Sequence, residues 1–300
     1  MNYAVIGLGS MGYGIASSIL AAGHTTFGFD LNIEAAQRFR DQGGAEGEIE
    51  QVATKLDGVV VVVLNAVQTE AVLFGDNGVG DEGIVPAMSS GSVVIACATV
   101  PPEFARNMAE RCLKHGVHYL DAPMSGGSVK AMQGQLSFMA SGTNEAFTAA
   151  RPILDAAAET VFELGDEAGA GSAMKAVNQL LAGVHIATMA EALTFGMTQG
   201  IEPDQFVEVI SKCAGTSWML ENRAPHVVKG DYTPHSSVDI WPKDLGIVLD
   251  IARSAKFSAP ITAAALQQFL AASGSGLGQE DDAAVAKVYA RNADLKLPGE

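Results

Sequence analysis

Basic residues are scarce in this chain: 18 Lys and Arg stand against 34 Asp and Glu, a formal charge of −16. No basic run occurs, which argues against nucleic acid or an anionic membrane surface as a partner. An anionic substrate would have to be held by local positive groups against an unfavourable overall field. Cysteine is scarcer still. Cys97, Cys112 and Cys213 are too few and too scattered for a disulfide framework or a zinc-spaced set. They read as buried free thiols, and no metal is expected. Long apolar runs are missing too. The longest fully apolar stretch, over 59–64, falls far short of the roughly 20 residues a membrane-spanning helix needs. The first residues enter a strand-like run directly rather than a charged-then-apolar leader. A soluble, cytoplasmic protein is expected. There is no internal repeat and no low-complexity segment. What remains suits a substantial core: 300 residues, 48% hydrophobic and 17% charged, enough for one large or two ordinary domains.

The chain opens on a short β-prone run, Tyr3-Ala4-Val5-Ile6, that feeds Gly7-Leu8-Gly9-Ser10-Met11-Gly12 and then a helical pattern. Each glycine has a physical use. Gly7 can make a tight turn, Gly9 leaves the backbone open to a pyrophosphate, and Gly12 lets the helix pack close on the strand. The free N–H groups of the helix start would face the phosphates. Eighteen residues after Gly12, a second β-run ends in Asp30, where a carboxylate can accept from ribose hydroxyls. The same charge repels a 2′-phosphate, so NAD is favoured over NADP. A lone glycine triplet says little, but strand, glycines, helix, second strand and acid in order say much more.

Strand-like and helix-like segments alternate through the first half. Strands are expected over 3–7, 25–29, 58–64, 92–96 and 117–122, and amphipathic helices over 11–22, 33–42 and 103–115. The run over 59–64 has no polar alternation, which suits a parallel strand covered on both faces. A strand over 136–140, a helix over 144–158 and a strand over 161–163 read as a tail added to that sheet. From 170 to 199 helix formers run without proline, a helix of roughly 45 Å. Further helices are expected over 203–214, 218–228, 243–254, 259–273 and 281–290. The fold class is thus α/β, a doubly wound and mostly parallel sheet over 1–164, followed by an all-α domain over 165–300 joined through one long helix.

Ligands of such sheets gather at the carboxyl ends of the strands. Three turns fall there: Asn65-Ala66-Val67, Thr99-Val100-Pro101-Pro102, and Asp121-Ala122-Pro123-Met124-Ser125-Gly126-Gly127. An ordinary strand-to-helix turn accounts for each of the first two. In the third, two glycines after a serine leave N–H groups open to a carboxylate, an anion-binding nest. On the long helix Lys175 and Asn178 share a face, with Gln179 adjacent and His185 two turns on. A lysine on a helix is usually a solvated charge. Among Ala173, Met174, Ala176, Val177 and Leu180 it reads as buried, and a buried lysine needs a reason, such as general acid–base work. His185 reads as a hydrogen-bonded core histidine rather than a catalyst. Lys243-Asp244 opens a later helix. The helix dipole alone explains Asp244 there but makes Lys243 unwelcome, which hints at an anion.

Four blocks in order, Gly7 to Gly12, Asp121 to Gly127, Lys175-Ala176-Val177-Asn178 and Lys243-Asp244-Leu245-Gly246, resemble the β-hydroxyacid dehydrogenase family over the whole chain. The resemblance implies an N-terminal Rossmann domain, a helical C-terminal domain, NAD as cofactor and hydride transfer to or from a small hydroxy acid. It implies Lys175 as acid–base, Ser125, Gly126 and Gly127 as carboxylate holders, Asn178 (with Gln179) toward the substrate, and Leu64, Asn65, Thr99 and Lys243 toward the cofactor. Two positions depart from the family: Gln179, where Asn is usual, and Ala98-Thr99, where Ser-Thr is usual. Segments 177–187, 217–219 and 230–234 are similar to the family's L-threonate dehydrogenases, which implies a four-carbon sugar acid, with Ser217 and His185 as further polar partners. 3-Hydroxyisobutyrate and tartronate semialdehyde are the alternative substrates. A non-catalytic NAD-binding module is the alternative outside enzymes; Lys175 and the Ser-Gly-Gly turn argue against it. The apolar helical half suggests a homodimer or homotetramer.

Overall fold

The computed structural model describes residues 1–75 and 83–299. The chain divides into two compact units, Met1–Lys175 and Ala176–Glu300.

The N-terminal unit runs β1 (Asn2–Ile6), α1 (Ser10–Ala21), β2 (Thr25–Phe29), α2 (Ile33–Asp41), α3 (Ile49–Val52), β3 (Gly58–Val61), α4 (Ala66–Phe74), β4 (Val93–Ala96), α5 (Pro102–Lys114), β5 (His118–Asp121), β6 (Met124–Ser125), α6 (Gly127–Met132), β7 (Leu136–Ala140), α7 (Asn144–Ala157) and β8 (Ala158–Glu163), and then enters α8 (Ala170–Thr198). Five parallel strands pair in the order β2-β1-β3-β4-β5. The order reverses between β1 and β3, which makes their carboxyl ends the switch point where ligands of doubly wound sheets bind. Both faces of the sheet are dry. Tyr3, Val5, Val60, Val93 and Ile95 enter one apolar cluster, while Ala4, Ile6, Val59, Val61, Val94 and Ala96 enter another. That two-sided burial is why these strands carry no polar alternation.

Several expectations need correcting. The segments over 136–140 and 161–163 do not extend the main sheet. They form a second sheet in the order β6-β7-β8, with β6 antiparallel and β7–β8 parallel. The expected strand over 58–64 stops at Val61, and α4 was not anticipated. Asn65 caps it by accepting from Gln68 N–H at 2.9 Å, while Gln68 Oε1 accepts from Leu64 N–H at 2.8 Å. This reciprocal cap ends the strand and starts the helix. Cys97 and Cys112 are buried, but Cys213 is exposed. Burial pushes the Cys112 thiol up to about 12 and, with Asp121 adding to it, pushes Cys97 well above the usual thiol range.

The C-terminal unit comprises the rest of α8, then α9 (Pro203–Ile210), α10 (Trp218–Lys229), α11 (Ile240–Ser254), α12 (Pro260–Ala272) and α13 (Val285–Asn292). Ile186, Met189 and Leu193 of α8 meet Leu220, Val227, Trp241, Leu245 and Phe269 in one apolar core. By length and composition α8 alone, among the described residues, passes for a membrane span; 44% of its most apolar window is buried inside the fold, where it supplies this core. α11 begins at Ile240 rather than at 243. Asp244 is therefore beyond the first turn, and the helix dipole does not explain it.

Candidate active site

The glycine turn between β1 and α1 has the geometry its spacing suggests. Gly7 has φ +93°, and a Cβ there would lie 2.2 Å from Val62 O. A Cβ at Gly12 would lie 1.8 Å from Gly7 O and 3.2 Å from Val62 Cβ, so the helix approaches the strand turn as closely as backbone allows. Gly9 is different: a Cβ there would meet nothing within 4 Å. Gly9 is also the N-cap of α1, and no side chain caps that helix. Asn32 caps α2, Asn65 caps α4, Thr143 caps α7 and Ser217 caps α10, whereas α5, α6, α9, α11 and α12 are, like α1, without a side-chain cap, so it is the open space at Gly9 that sets α1 apart. An open approach with uncapped first-turn N–H groups is what a pyrophosphate needs. Asp30 directly follows β2, beside this turn. Its Oδ2 accepts from Leu8 N–H at 2.5 Å and its Oδ1 from Asn32 N–H at 2.7 Å. The carboxylate is thereby aimed by the glycine turn itself and keeps lone pairs for further donors.

The Ser125-Gly126-Gly127 turn links β6 to α6. Gly126 has φ +135° and Gly127 φ +77°, and a Cβ at Gly127 would enter open space. These conformations favour glycine and expose the local backbone. Lys175, on α8, donates from Nζ to Met124 O at 2.9 Å. The amine is thus tied to the residue just before Ser125.

Asp121 reinforces this tie. It is 1% exposed, at the end of β5. Its Oδ2 accepts from Gly169 N–H at 2.9 Å and Ser172 N–H at 2.8 Å, and its Oδ1 from the Ser172 hydroxyl at 2.7 Å. Ser141 Oγ donates to it as well, at 3.3 Å. Burial raises its pKa, against the lowering effect of these bonds. A carboxylate taking the free N–H groups of a helix start fixes where that helix begins. Asp121 therefore sets the register of the helix that carries Lys175, from the same seven-residue segment that supplies the glycine nest. Sequence reasoning placed Asp121 at the head of the third turn but gave it no role of its own.

In the C-terminal unit the polar groups form a chain. Asn178 Nδ2 donates to Gln179 Oε1 at 2.9 Å, Gln179 Nε2 donates to Asp244 Oδ2 at 2.5 Å, and Lys243 Nζ pairs with Asp244 Oδ1 at 2.6 Å. Gln179 is 7% exposed and Asp244 2%. The approach of α11 to α8 that makes this possible depends on Gly183. A Cβ there would lie 2.8 Å from both Leu245 Cδ2 and Trp241 Cε3. Trp241 and Leu245 flank Asp244 on one face of α11, so their seat on Gly183 carries Asp244 to Gln179, one turn earlier on α8. Ser217, expected as a polar partner for substrate, spends its hydroxyl accepting from Leu220 N–H at 3.1 Å. Among the described residues no group of three His, Cys, Asp or Glu side chains could hold a metal ion.

Comparison with known proteins gives a consistent answer over the full length. The family described as the NAD binding domain of 6-phosphogluconate dehydrogenase matches residues 2–165. The family described as NAD-binding of NADP-dependent 3-hydroxyisobutyrate dehydrogenase matches residues 169–289. The L-threonate dehydrogenase of Cupriavidus necator is 49% identical over 300 residues, 100% of this chain and 98% of that protein. The L-threonate dehydrogenase of Pectobacterium atrosepticum is 46% identical, covering 95% of this chain and 93% of that protein. The crystal structure of a 3-hydroxyisobutyrate dehydrogenase from Salmonella typhimurium superposes with a TM-score of 0.89 at 44% identity, over 96% of this chain and 99% of that one.

Proposed function

We propose, from the premise that the chain belongs to the 3-hydroxyisobutyrate dehydrogenase-like family and is an NAD-dependent oxidoreductase of small hydroxy acids, that it oxidises the four-carbon sugar acid L-threonate to its 2-oxo acid with Lys175 as general base. The observation that carries the mechanism is the 2.9 Å bond from Lys175 Nζ to Met124 O. It sets an amine beside the Ser125-Gly126-Gly127 turn, one group for the substrate hydroxyl and one for the substrate carboxylate.

The glycine turn Gly7-Leu8-Gly9-Ser10-Met11-Gly12 fits a dinucleotide, because Gly9 is open and α1 is uncapped. Asp30 would hold the ribose hydroxyls, with Leu64, Asn65, Thr99 and Lys243 as further cofactor contacts. When bound, the nicotinamide supplies the hydride acceptor. Ser125 and the backbone of Gly126 and Gly127 grip the carboxylate and so fix which carbon reacts. Lys175 takes the hydroxyl proton at Nζ as the carbonyl forms, and returns it in the reverse direction. The resulting ammonium also stabilises charge on the carbonyl oxygen. Asn178, one turn along α8, orients a substrate hydroxyl.

The substrate follows from the relatives: two L-threonate dehydrogenases at 49% and 46% identity support the four-carbon acid. The Salmonella protein's name supports 3-hydroxyisobutyrate as a second reading. A panel of L-threonate, its C2 and C3 epimers, 3-hydroxyisobutyrate and tartronate semialdehyde (the last assayed in reduction) separates them. L-threonate is expected to give the highest kcat/KM for NADH production. Turnover of 3-hydroxyisobutyrate with none of the four-carbon acids would overturn the assignment. A homodimer or homotetramer is supported by Val177 and Leu181, exposed apolar neighbours one turn apart on α8, with Phe195 exposed farther along. Light scattering of the eluting protein tests it, and a monomer mass refutes it.

A further inference from the structure

We infer that Gln179 and Asp244 are positioning residues that set the hydrogen-bonding sense of the Asn178 carboxamide. The inference rests on the reading that Asn178 meets the substrate, and it concerns how that side chain is aimed. A carboxylate can only accept. Asp244 has Lys243 on Oδ1 and Gln179 Nε2 on Oδ2. The Gln179 amide must therefore turn its nitrogen to Asp244 and its oxygen away. That oxygen receives Asn178 Nδ2. The polarity of one carboxylate is thus passed through two amides, and Asn178 is left presenting Oδ1, an acceptor.

An acceptor at that point selects for a donor, and a substrate hydroxyl is one. Both ends of the Gln179 carboxamide are taken by protein groups, so Gln179 reaches the substrate only through Asn178. The two-bond reach from α8 to Asp244 and back to Asn178 also explains a glutamine here. An asparagine, usual at this position in the family, is shorter by one methylene. Burial adds cost to any misorientation, because a flipped Gln179 would set its oxygen against the Asp244 oxygen with little water to separate them.

The test is steady-state kinetics of the full-length enzyme with L-threonate and NAD. Gln179→Met keeps the length and removes both bonds, and Asp244→Asn removes the polarity. Each is expected to raise KM for the hydroxy acid about tenfold with kcat changed less than about threefold, as loss of a hydrogen bond felt equally in ground and transition states requires. A merely structural role lowers the active fraction instead, so kcat falls and KM stays. The decisive variant is the double exchange Gln179→Glu with Asp244→Asn. The carboxylate then lies at 179 and still accepts from Asn178 Nδ2, while the amide at 244 donates to it. KM is expected to return to within about threefold of the parent, whereas Gln179→Glu alone sets two carboxylates together and does not recover. Failure of the double variant to recover KM, or single variants with unchanged KM, overturns the inference. Asn178→Ala separates that failure from failure of the site: if it too leaves KM and kcat unchanged, the reading of Asn178 falls and the relay falls with it.

Discussion

The two units hold their polar groups in opposite ways. The N-terminal unit offers backbone. A Cβ at Gly9 or Gly127 would meet nothing within 4 Å, and the side chains of Asp30 and Asp121 are occupied by backbone N–H groups, of Leu8 in the glycine turn and of Ser172 at the start of α8. The C-terminal unit offers side chains held by other side chains. Asp244 holds Gln179, which holds Asn178. Asp282 holds Arg223 and Trp241. Backbone sites recognise what all substrates of a chemistry share, a phosphate or a carboxylate. Side-chain networks can be exchanged without moving the chain and so can set which hydroxylated acid is preferred. Under the proposed function, the first unit would then set the reaction type and the second the choice among hydroxylated acids.

Lys175, the proposed general base, is the exception to this contrast, a side chain tied at 2.9 Å to the backbone just before the Ser125-Gly126-Gly127 turn. We expect Lys175→Ala to lower kcat by about two to four decades. Titration of NAD by fluorescence should give an unchanged affinity, because none of the groups around Gly9 is altered. A rate near that of the parent would remove the general base and with it the division of labour.

The glycine turn offers a smaller and internally controlled effect. Gly12→Ala forces a methyl onto Gly7 O, and backbone cannot give way cheaply, so we expect a loss of about 2–3 kcal/mol in urea unfolding. Gly9→Ala places its methyl in open space at φ −63°. It should leave stability within about 0.5 kcal/mol and raise the Kd for NAD about tenfold or more. If Gly9→Ala binds NAD normally, the turn is only a packing device.

The same contrast explains what could be read before the structure. The parallel sheet, the glycine turn, Asp30 and the long helix were legible, because a required backbone geometry confines a position to glycine, or a doubly covered strand to an apolar run. Pattern marked Lys175, by its apolar neighbours, and Lys243, by its place at a helix start, and the family resemblance gave each a role. The side-chain networks left no such trace: Gln179 and Asp244 lie 65 residues apart, and Arg223 and Asp282 lie 59 apart. Only the packing of α11 on Gly183 brings the first pair together. The helix dipole accounts for Asp244 locally only if α11 starts at 243, and it starts three residues earlier, at Ile240. The separate β6-β7-β8 sheet was missed for a related reason. Its first strand has two residues, too few to show a period.

The second network gives the smallest effect and the sharpest sign. Asp282 is wholly buried, and burial, opposed by Arg223 and reinforced by Asp281, pushes its pKa from 3.8 up to about 6. Between those values the folded chain binds more protons at this site than the unfolded chain does. Its contribution to stability is therefore fully present below pH 4 and is lost as pH rises through 6. His226, 3.3 Å from Asp281 and edge-on to His235, acts the other way. Its pKa is lowered, mainly by burial, so its contribution is present above pH 6.5 and lost as pH falls. The two trends overlap in the wild type, and a single pH profile cannot separate them. Asp282→Asn can, because it keeps the shape and abolishes one titration. The stability advantage of wild type over this variant should be largest near pH 4 and shrink by roughly 1–3 kcal/mol toward pH 6, read from urea midpoints. Because Asp282 anchors Trp241, which seats α11 on Gly183, the variant should also raise KM for the hydroxy acid slightly while leaving NAD affinity alone. An advantage that grows with pH would mean that Asp282 is ionised throughout and that its pairing with Arg223 outweighs its burial.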